Sequence, residues 1–412
     1  MSKICKLKDI AVLKTGPFGT QFKASEYVDE GIPVINVKNI GYGNLNYKDV
    51  DFITEKTRDR LSEHILQTGD IVFGRKGSVD RHCLITEKEN GWFQGSDCLR
   101  VRIIDSSVNP QYVSYYLLSS HVLKSINNAA VGSTMASINM DIIGEIKIML
   151  PSYEEQCKIA MILKSLDDKR ALNAAINDNL QQQIRLLYDY WFTQFDFPDK
   201  NGNPYKSSGG TMGWNPIIHR DIPVCWKVTK LLDIVSWESN SQPPKSEFVY
   251  EPKDGYIRFI QNRDYDSDNH QTYIPYTKNL STVDKFDILM DKYGDAGAVR
   301  YGIEGAFNVA LGKINVNRPN FQEYIRSFLE SDGVYSYLHN SCMASTRASL
   351  NESNLSMLNV VIPDEDTVSA FQLQIRKIRE SILLTNDENL QLENLRNWLL
   401  PMLMNGQAVV QD

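Results

Sequence analysis

The chain has 412 residues, 42% hydrophobic and 23% charged, with a net charge of −7. At a typical domain size of about 150 residues this predicts two or three soluble domains. No apolar run approaches the roughly 18 residues of a membrane span, and Met1 to Lys6 lack the apolar core of a secretory signal.

In chain order, residues 1–151 read as a mixed α/β domain. Short β-branched segments at Ile32 to Val37, Ile71 to Phe73, Leu99 to Ile104 and Ile146 to Leu150 are bounded by Gly or Asp, as strands are. The loop Gly74-Arg75-Lys76-Gly77-Ser78 follows the second of them. Tyr112 to Lys124 reads as a helix. Residues 152–194 form a long helix. A 4-3 spacing runs through Ile159, Leu163, Leu166, Arg170, Asn173, Asn177, Leu180, Ile184, Leu187 and Trp191. From 159 to 191 such a helix is about 48 Å long, too long to stand alone in water. Residues 195–225, rich in Gly, Pro, Asn and Ser, read as a linker. A second α/β domain follows over 226–363, with a helix from Tyr324 to Leu338. A second long helix spans 364–404, with seam residues Phe371, Ile375, Ile378, Ile382, Thr385, Asn389, Leu392, Arg396, Leu399 and Leu403. A tail covers 405–412.

The two halves repeat. Ser133-Thr134-Met135-Ala136-Ser137-Ile138-Asn139 returns as Ser345-Thr346-Arg347-Ala348-Ser349-Leu350-Asn351, an offset of 212 that persists along both helical seams. Upstream the offset drifts. It is 217 between Asp70-Ile71-Val72 and Asp287-Ile288-Leu289, and 225 between Ile32 and Ile257. A period this long excludes a solenoid and implies two similar globular domains. The expected fold is therefore mixed α/β, with two similar globular domains each followed by a long helix. The two helices pack as an antiparallel coiled coil with pseudo-two-fold symmetry. In that pair the polar centres meet, Asn173 and Asn177 near Thr385 and Asn389. The alternative is that each helix covers only its own domain.

Signals of catalysis are weak. Asn109-Pro110-Gln111-Tyr112 resembles the motif that holds a target amine in adenine methyltransferases, but one proline is missing. Asn and Pro are also what a helix start requires. Asp141, Glu145 and Lys147 have a nuclease-like look without a counterpart in the second half. There is no P-loop sequence and no GxSxG, the six histidines lack metal-ligand spacing, and the six cysteines include no CxxC pair. Such cysteines read as reduced thiols of a cytoplasmic protein. Two large domains without a reaction centre favour binding over catalysis. The net charge is uneven: residues 1–150 hold 18 basic and 17 acidic side chains, residues 364–412 hold 4 and 8. The acid thus lies toward the helices, and the globular halves are nearly balanced.

Several phrases carry a family resemblance. These are Gly16-Pro17-Phe18-Gly19 with Gly31-Ile32-Pro33-Val34-Ile35, Phe195-Asp196-Phe197-Pro198 with Asn201-Gly202-Asn203-Pro204, and Leu399-Leu400-Pro401-Met402-Leu403. In this order, on a two-fold repeat, the chain resembles the DNA specificity (S) subunit of type I restriction-modification systems. The resemblance implies a non-catalytic, cytoplasmic subunit with two target-recognition domains that reads a bipartite site in double-stranded DNA. It also implies docking of two methyltransferase (M) subunits and of restriction/translocase (R) subunits, with no membrane partner. No metal or cofactor belongs to this chain; S-adenosylmethionine, ATP and Mg are expected on the partners. Groove readout needs polar and basic side chains on loops. In the first domain the candidates are Lys38, Asn39, Arg75, Lys76, Ser78, Arg81, Ser133 and Thr134. In the second they are Asn262, Arg263, Lys292, Tyr293, Arg300, Thr346 and Arg347. Because the halves differ most at these loops, the expected site is asymmetric. The competing classes are a single-chain methyltransferase or nuclease, and a coiled-coil scaffold that reads no DNA.

Overall fold

The computed structural model describes residues 3–130, 136–266, 270–343, 349–408 and 410. It divides into two compact units, Met1–Leu172 with Glu388–Asp412, and Asn173–Asp387.

The first unit is built on a five-stranded sheet in the order Ala11–Thr15, Cys98–Ile103, Ile71–Gly74, His82–Leu84 and Tyr42–Gly43. Ile71, Phe73, Leu99 and Val101 are buried against Tyr112, Val113 and Leu117 of a covering helix, Pro110–Leu117. A second sheet joins Tyr27–Val28, Asp51–Ile53, Ile32–Ile35 and Phe93–Gln94. Lys3–Lys6 pairs with Lys147–Leu150. The second unit repeats this plan. Its main sheet runs Val235–Ser239, Leu311–Val316, Ile288–Asp291 and Val299–Arg300, and Lys227–Lys230 pairs with Asn359–Ile362.

The repeat extends to single hydrogen bonds. The Tyr112 hydroxyl donates to the Met149 carbonyl and the Tyr324 hydroxyl to the Val361 carbonyl, both partners displaced by 212. The Leu7 amide reaches the Ile146 carbonyl at 2.9 Å, and the Leu231 amide reaches Leu358 at 2.9 Å. There the offsets are 224 on the donor side and 212 on the acceptor side. The drift along the chain is therefore extra or missing loop residues between superposable hydrogen bonds.

Two expectations change and a third gains detail. The predicted helix from Tyr112 to Lys124 is two helices, Pro110–Leu117 and Ser120–Ala129. Its counterpart is also two, Gln322–Glu330 and Asp332–Met343. The breaks fall at Ser119 and Ser331, 212 apart, each with extended backbone. The hydroxyl of each bonds back to the carbonyl three residues earlier, at 2.6 Å. A serine side chain competes with the helical ladder in this way. Second, residues 195–225 are not a loose linker. Phe195, Phe197 and Ile222 are buried, the Phe197 ring stacks on Tyr205 and Trp226 at 4.7 Å, and Met212–Asn215 pairs with Arg220–Pro223. Composition hid this because the anchoring aromatics are few among many turn residues. Third, the first long helix is α-helical over Tyr153–Tyr188 and continues as a π-turn over Asp189–Thr193. The extra residue in that turn lets Trp191 and Phe192 both enter the core.

The helices do not simply follow their own domains. Leu400, Leu403 and Met404, near the end of the second long helix (Glu365–Met404), pack with Ile159, Ala160 and Leu163 in the core of the first unit. Around them Arg170 reaches Glu393 at 2.8 Å, Arg396 reaches Asp167 at 2.8 Å, and Lys169 faces Glu388 at 3.3 Å. In the second unit Ile184 and Tyr188 share a core with Phe371, Ile375 and Ile382. Within each unit, rising numbers on one helix meet falling numbers on the other, so the pairing is antiparallel. All the predicted seam residues are buried or half-buried, including Leu166, Leu180, Leu187, Ile378, Leu392 and Leu399. The polar centre is paired differently from the expectation. The Asn177 side chain donates to Asn386 at 2.7 Å, and Asn389 reaches the Arg170 carbonyl at 3.5 Å. The Thr385 hydroxyl instead turns back to the Ser381 carbonyl at 2.7 Å and is spent on its own helix.

Candidate nucleic-acid interface

In the first unit one end of the five-stranded sheet gathers several loops. Cys98 lies opposite Gly74, Leu99 opposite Thr15, and Phe73 opposite His82. The loops after Thr15, between Gly74 and His82, and before Cys98 therefore leave the sheet at the same end. Tyr42 pairs in parallel with His82 and joins them. The segment after residue 135 is tied to this cluster. Gly77 donates to the Ala136 carbonyl at 2.9 Å, and Ile138 donates to the Arg75 carbonyl at 3.0 Å. The second unit has the same knot. Leu350 donates to the Lys292 carbonyl at 3.0 Å, and the Lys292 amide reaches Ala310 at 2.8 Å, as the Arg75 amide reaches Asp97 at 2.8 Å. Lys292 thus occupies the place of Arg75.

The predicted site residues divide by what holds them. Lys38 is paired with Asp51 at 2.9 Å and Lys76 with Asp97 at 3.0 Å. Arg300 sits 2.8 Å from Asp291 and 3.5 Å from Asp295. Arg263 is exposed, 3.8 Å from Asp264, and Asn262 is half-buried beside it in a 3-10 turn. A cation so placed must exchange a carboxylate for a phosphate, which lowers its net gain on binding. Arg75 and Arg81 are placed otherwise. Their guanidinium groups lie over the Phe18 and Tyr42 rings, 5.5 and 5.3 Å from the centroids. Such packing fixes a planar fork without neutralising it. Ser78 is half-buried in the same loop, and Tyr293 stands exposed beside Lys292.

Asn39 is withdrawn as a contact. It is wholly buried; its amide nitrogen donates to the Asn46 and Lys48 carbonyls at 3.2 Å, and its oxygen accepts from the Asn36 amide at 3.1 Å. It holds its own turn closed. Ser133, Thr134, Thr346 and Arg347 lie outside the described residues. Two aromatics were missed in the sequence. Phe18 is 56% exposed and Tyr42 48% exposed, both at the loop end of the sheet. The available signal for Phe18 was a large apolar residue within a Gly-Pro-Phe-Gly turn.

The catalytic look-alikes have structural work. The Asn109 side chain accepts from the Tyr112 amide at 3.1 Å and caps the helix that Pro110 opens. Glu145 is bonded by Lys6 at 2.6 Å and by Lys8, and these bonds hold its carboxyl down at about 2. Among the described residues no group of His, Cys, Asp and Glu is arranged to hold a metal ion, and no helix is long and apolar enough to cross a membrane.

A family model described as the type I restriction modification DNA specificity domain matches residues 2–182 and again residues 223–394. The chain belongs to the type I restriction-modification DNA specificity family. The family domain therefore occurs twice, on the two halves that share the loop knot. The MjaIX specificity subunit of Methanocaldococcus jannaschii is 24% identical, over 99% of this chain and 93% of its own length. The HindI specificity subunit of Haemophilus influenzae is 22% identical, over 83% and 87%. The S subunit of the M. genitalium type I system has a similar fold, with a TM-score of 0.63 at 14% identity over 98% of this chain and 96% of that one. Relatives of this family are named as specificity subunits of type I restriction enzymes, not as the catalytic ones.

Proposed function

We infer that this chain is the DNA-reading specificity subunit of a type I restriction-modification enzyme. Each unit offers the loop end of its main sheet to one half of a split site in double-stranded DNA. The observation that carries this reading is the shared knot with unshared side chains. The same backbone bonds fix Arg75 and Lys292, while the neighbouring groups, Lys76-Gly77-Ser78 against Tyr293-Gly294-Asp295, differ. A common frame with different polar surfaces suits two different half-sequences, so the site is asymmetric. Methyl transfer and cleavage then belong to M and R subunits, which carry S-adenosylmethionine, ATP and Mg, and the paired helices are where two M subunits dock. The complex works in the cytoplasm.

Methylome mapping with the partner methyltransferase tests the reading. It should return a split motif with adenine methylated in each half. Exchanging residues 1–150 for those of a relative should change one half only. Methylation by the purified chain alone, or motifs without a split, would sink it.

A further inference from the structure

The first domain is fastened to its long helix at two points, and one of them is a single hydroxyl. The covering helix Pro110–Leu117 turns with the main sheet. Tyr112, Val113 and Leu117 pack in the sheet's core, and the Ser114 hydroxyl lies 3.0 Å from Nε2 of buried His82 in the strand His82–Leu84. Where the covering helix starts, the Asn109 amide donates to the Gln156 side chain at 2.9 Å. Gln156 in turn donates to the Ser107 and Pro151 carbonyls, at 3.2 and 3.0 Å. Gln156 is buried, so this end is a closed pivot. Toward the other end the Tyr115 hydroxyl donates to Asp167 at 2.9 Å. Gln156 and Asp167 lie roughly three turns, about 16 Å, apart along Tyr153–Tyr188. Two attachments so far apart set the direction of the covering helix; one alone leaves a hinge.

Asp167 is where three segments meet. Besides the Tyr115 hydroxyl it holds Arg396 of the second long helix at 2.8 Å, and that guanidinium lies 5.9 Å from the Tyr115 ring centroid. Arg170, 3.9 Å from Asp167, joins Glu393 at 2.8 Å. Burial and the Asp167 charge push the Tyr115 phenol up, so it stays a donor. The second unit lacks this bond. Ser327, in the place of Tyr115, has a buried hydroxyl with no partner among the described residues, and the fastening passes to Glu323 and Glu330. From its pivot to Tyr115 the covering helix measures about 9 Å, and the five-residue strand Ala11–Thr15 about 17 Å, so play at Tyr115 roughly doubles over the length of the sheet. About 2 Å of play there then covers the roughly 3.4 Å between neighbouring base pairs.

We propose that Tyr115 and Asp167 are positioning residues for the spacer of the split site. Their bond fixes the angle at which the first domain meets its helices, and so which distance between half-sites the chain accepts. It acts on the angle of the domain, not on the length of the helices. The assignment rests on the DNA-reading function above.

The test uses the full chain with its methyltransferase partner, on duplexes whose spacer has the native length or is a base pair longer or shorter. An off-length spacer costs the wild type the Tyr115 bond, about tenfold in affinity for a hydrogen bond to a charged group. Tyr115→Phe keeps the buried ring and removes the bond, so its preference for the native spacer should shrink by about that factor. Methylome mapping should then return the same half-sequences at changed spacings. Asp167→Ala breaks the bond from the other side and should loosen the spacer likewise, while Asp167→Asn, which keeps an acceptor, should restore most of the preference. Arg170→Gln breaks a bond between the long helices without touching the covering helix and should leave the spacer as it is. An unchanged spacer preference in Tyr115→Phe and Asp167→Ala overturns the proposal. So does equal loosening in Arg170→Gln, which marks a general softening of the helix pair. A wild-type chain that yields no split motif overturns the DNA-reading function itself, which separates the two failures.

Discussion

At the scale of single residues, the loop end of the first unit stands on a buried histidine. His82 is wholly buried, with Nε2 3.0 Å from the Ser114 hydroxyl and 3.1 Å from its carbonyl, and its ring lies 5.1 Å from Phe73. Burial pulls its imidazole down to about 4, so it folds in the neutral form. The unfolded chain takes up this proton near pH 6.5 and the folded chain only near 4. Stability is therefore whole above about pH 6.5 and falls as pH drops toward 4, by a term on the order of 3 kcal/mol. Urea unfolding of the first unit at pH 7 and at pH 4.5 should show this loss, and His82→Phe should remove most of the difference. An equal loss in the variant would refute the assignment. Arg81, the neighbouring residue, makes a second prediction. Because its guanidinium is held over Tyr42, Arg81→Ala should cost about 1–3 kcal/mol in specific affinity and relax one position of one half-site. A uniform loss across sequences, read in a binding selection, would make it a phosphate contact instead.

At the scale of elements, the two long helices are fastened to their domains by unlike chemistry at like positions. Asp167 in the first helix and Arg379 in the second are 212 apart. Asp167 accepts from the Tyr115 hydroxyl at 2.9 Å, and Arg396 lies 2.8 Å away. Arg379 is buried and bonded to Glu323 and Glu330 at 2.7 Å, and Arg326, also buried, shares Glu323. Attraction from the two carboxylates outweighs burial and raises the Arg379 pKa. Removing one partner strands a buried charge, so Glu323→Ala should destabilise the second unit by about 3–5 kcal/mol in denaturant unfolding. A change below 1 kcal/mol would show that water reaches the site. The heptads were legible because apolar spacing survives without knowledge of the partner. Arg379 was not: in a sequence a helical arginine looks solvent-facing, and Glu323 and Glu330, 56 and 49 residues away, hold it in the interior. Asn386 was missed for a related reason. It lies just off the seam, and it became the Asn177 partner because Thr385 bonds its own helix. The exposure of Phe18 was not legible either, since nothing local says whether a lone phenylalanine is covered.

For the whole molecule, the sequence repeat revealed two similar domains, but not which residues close each one. The net charge of −7, and the carboxylates that pair Lys38, Lys76 and Arg300, reduce the attraction that the isolated chain can offer a phosphate backbone. Specific binding by the chain alone should therefore be weaker than nanomolar at physiological salt and recover when the M subunits add basic surface. A salt-titrated binding assay giving nanomolar specific affinity without partners would contradict this.

Leu400, Leu403 and Met404 pack in the core built by residues 7–163. That fact sets an order of birth. A ribosome that has delivered residue 387 has made all of the second unit, yet the first unit still awaits its last helical turns. The first unit, begun before the second, is thus finished after it, and its core stays open to solvent and chaperones until residues 388–404 are made. A chain stopped after residue 387 should keep the second unit protected from protease and lose that protection in the first.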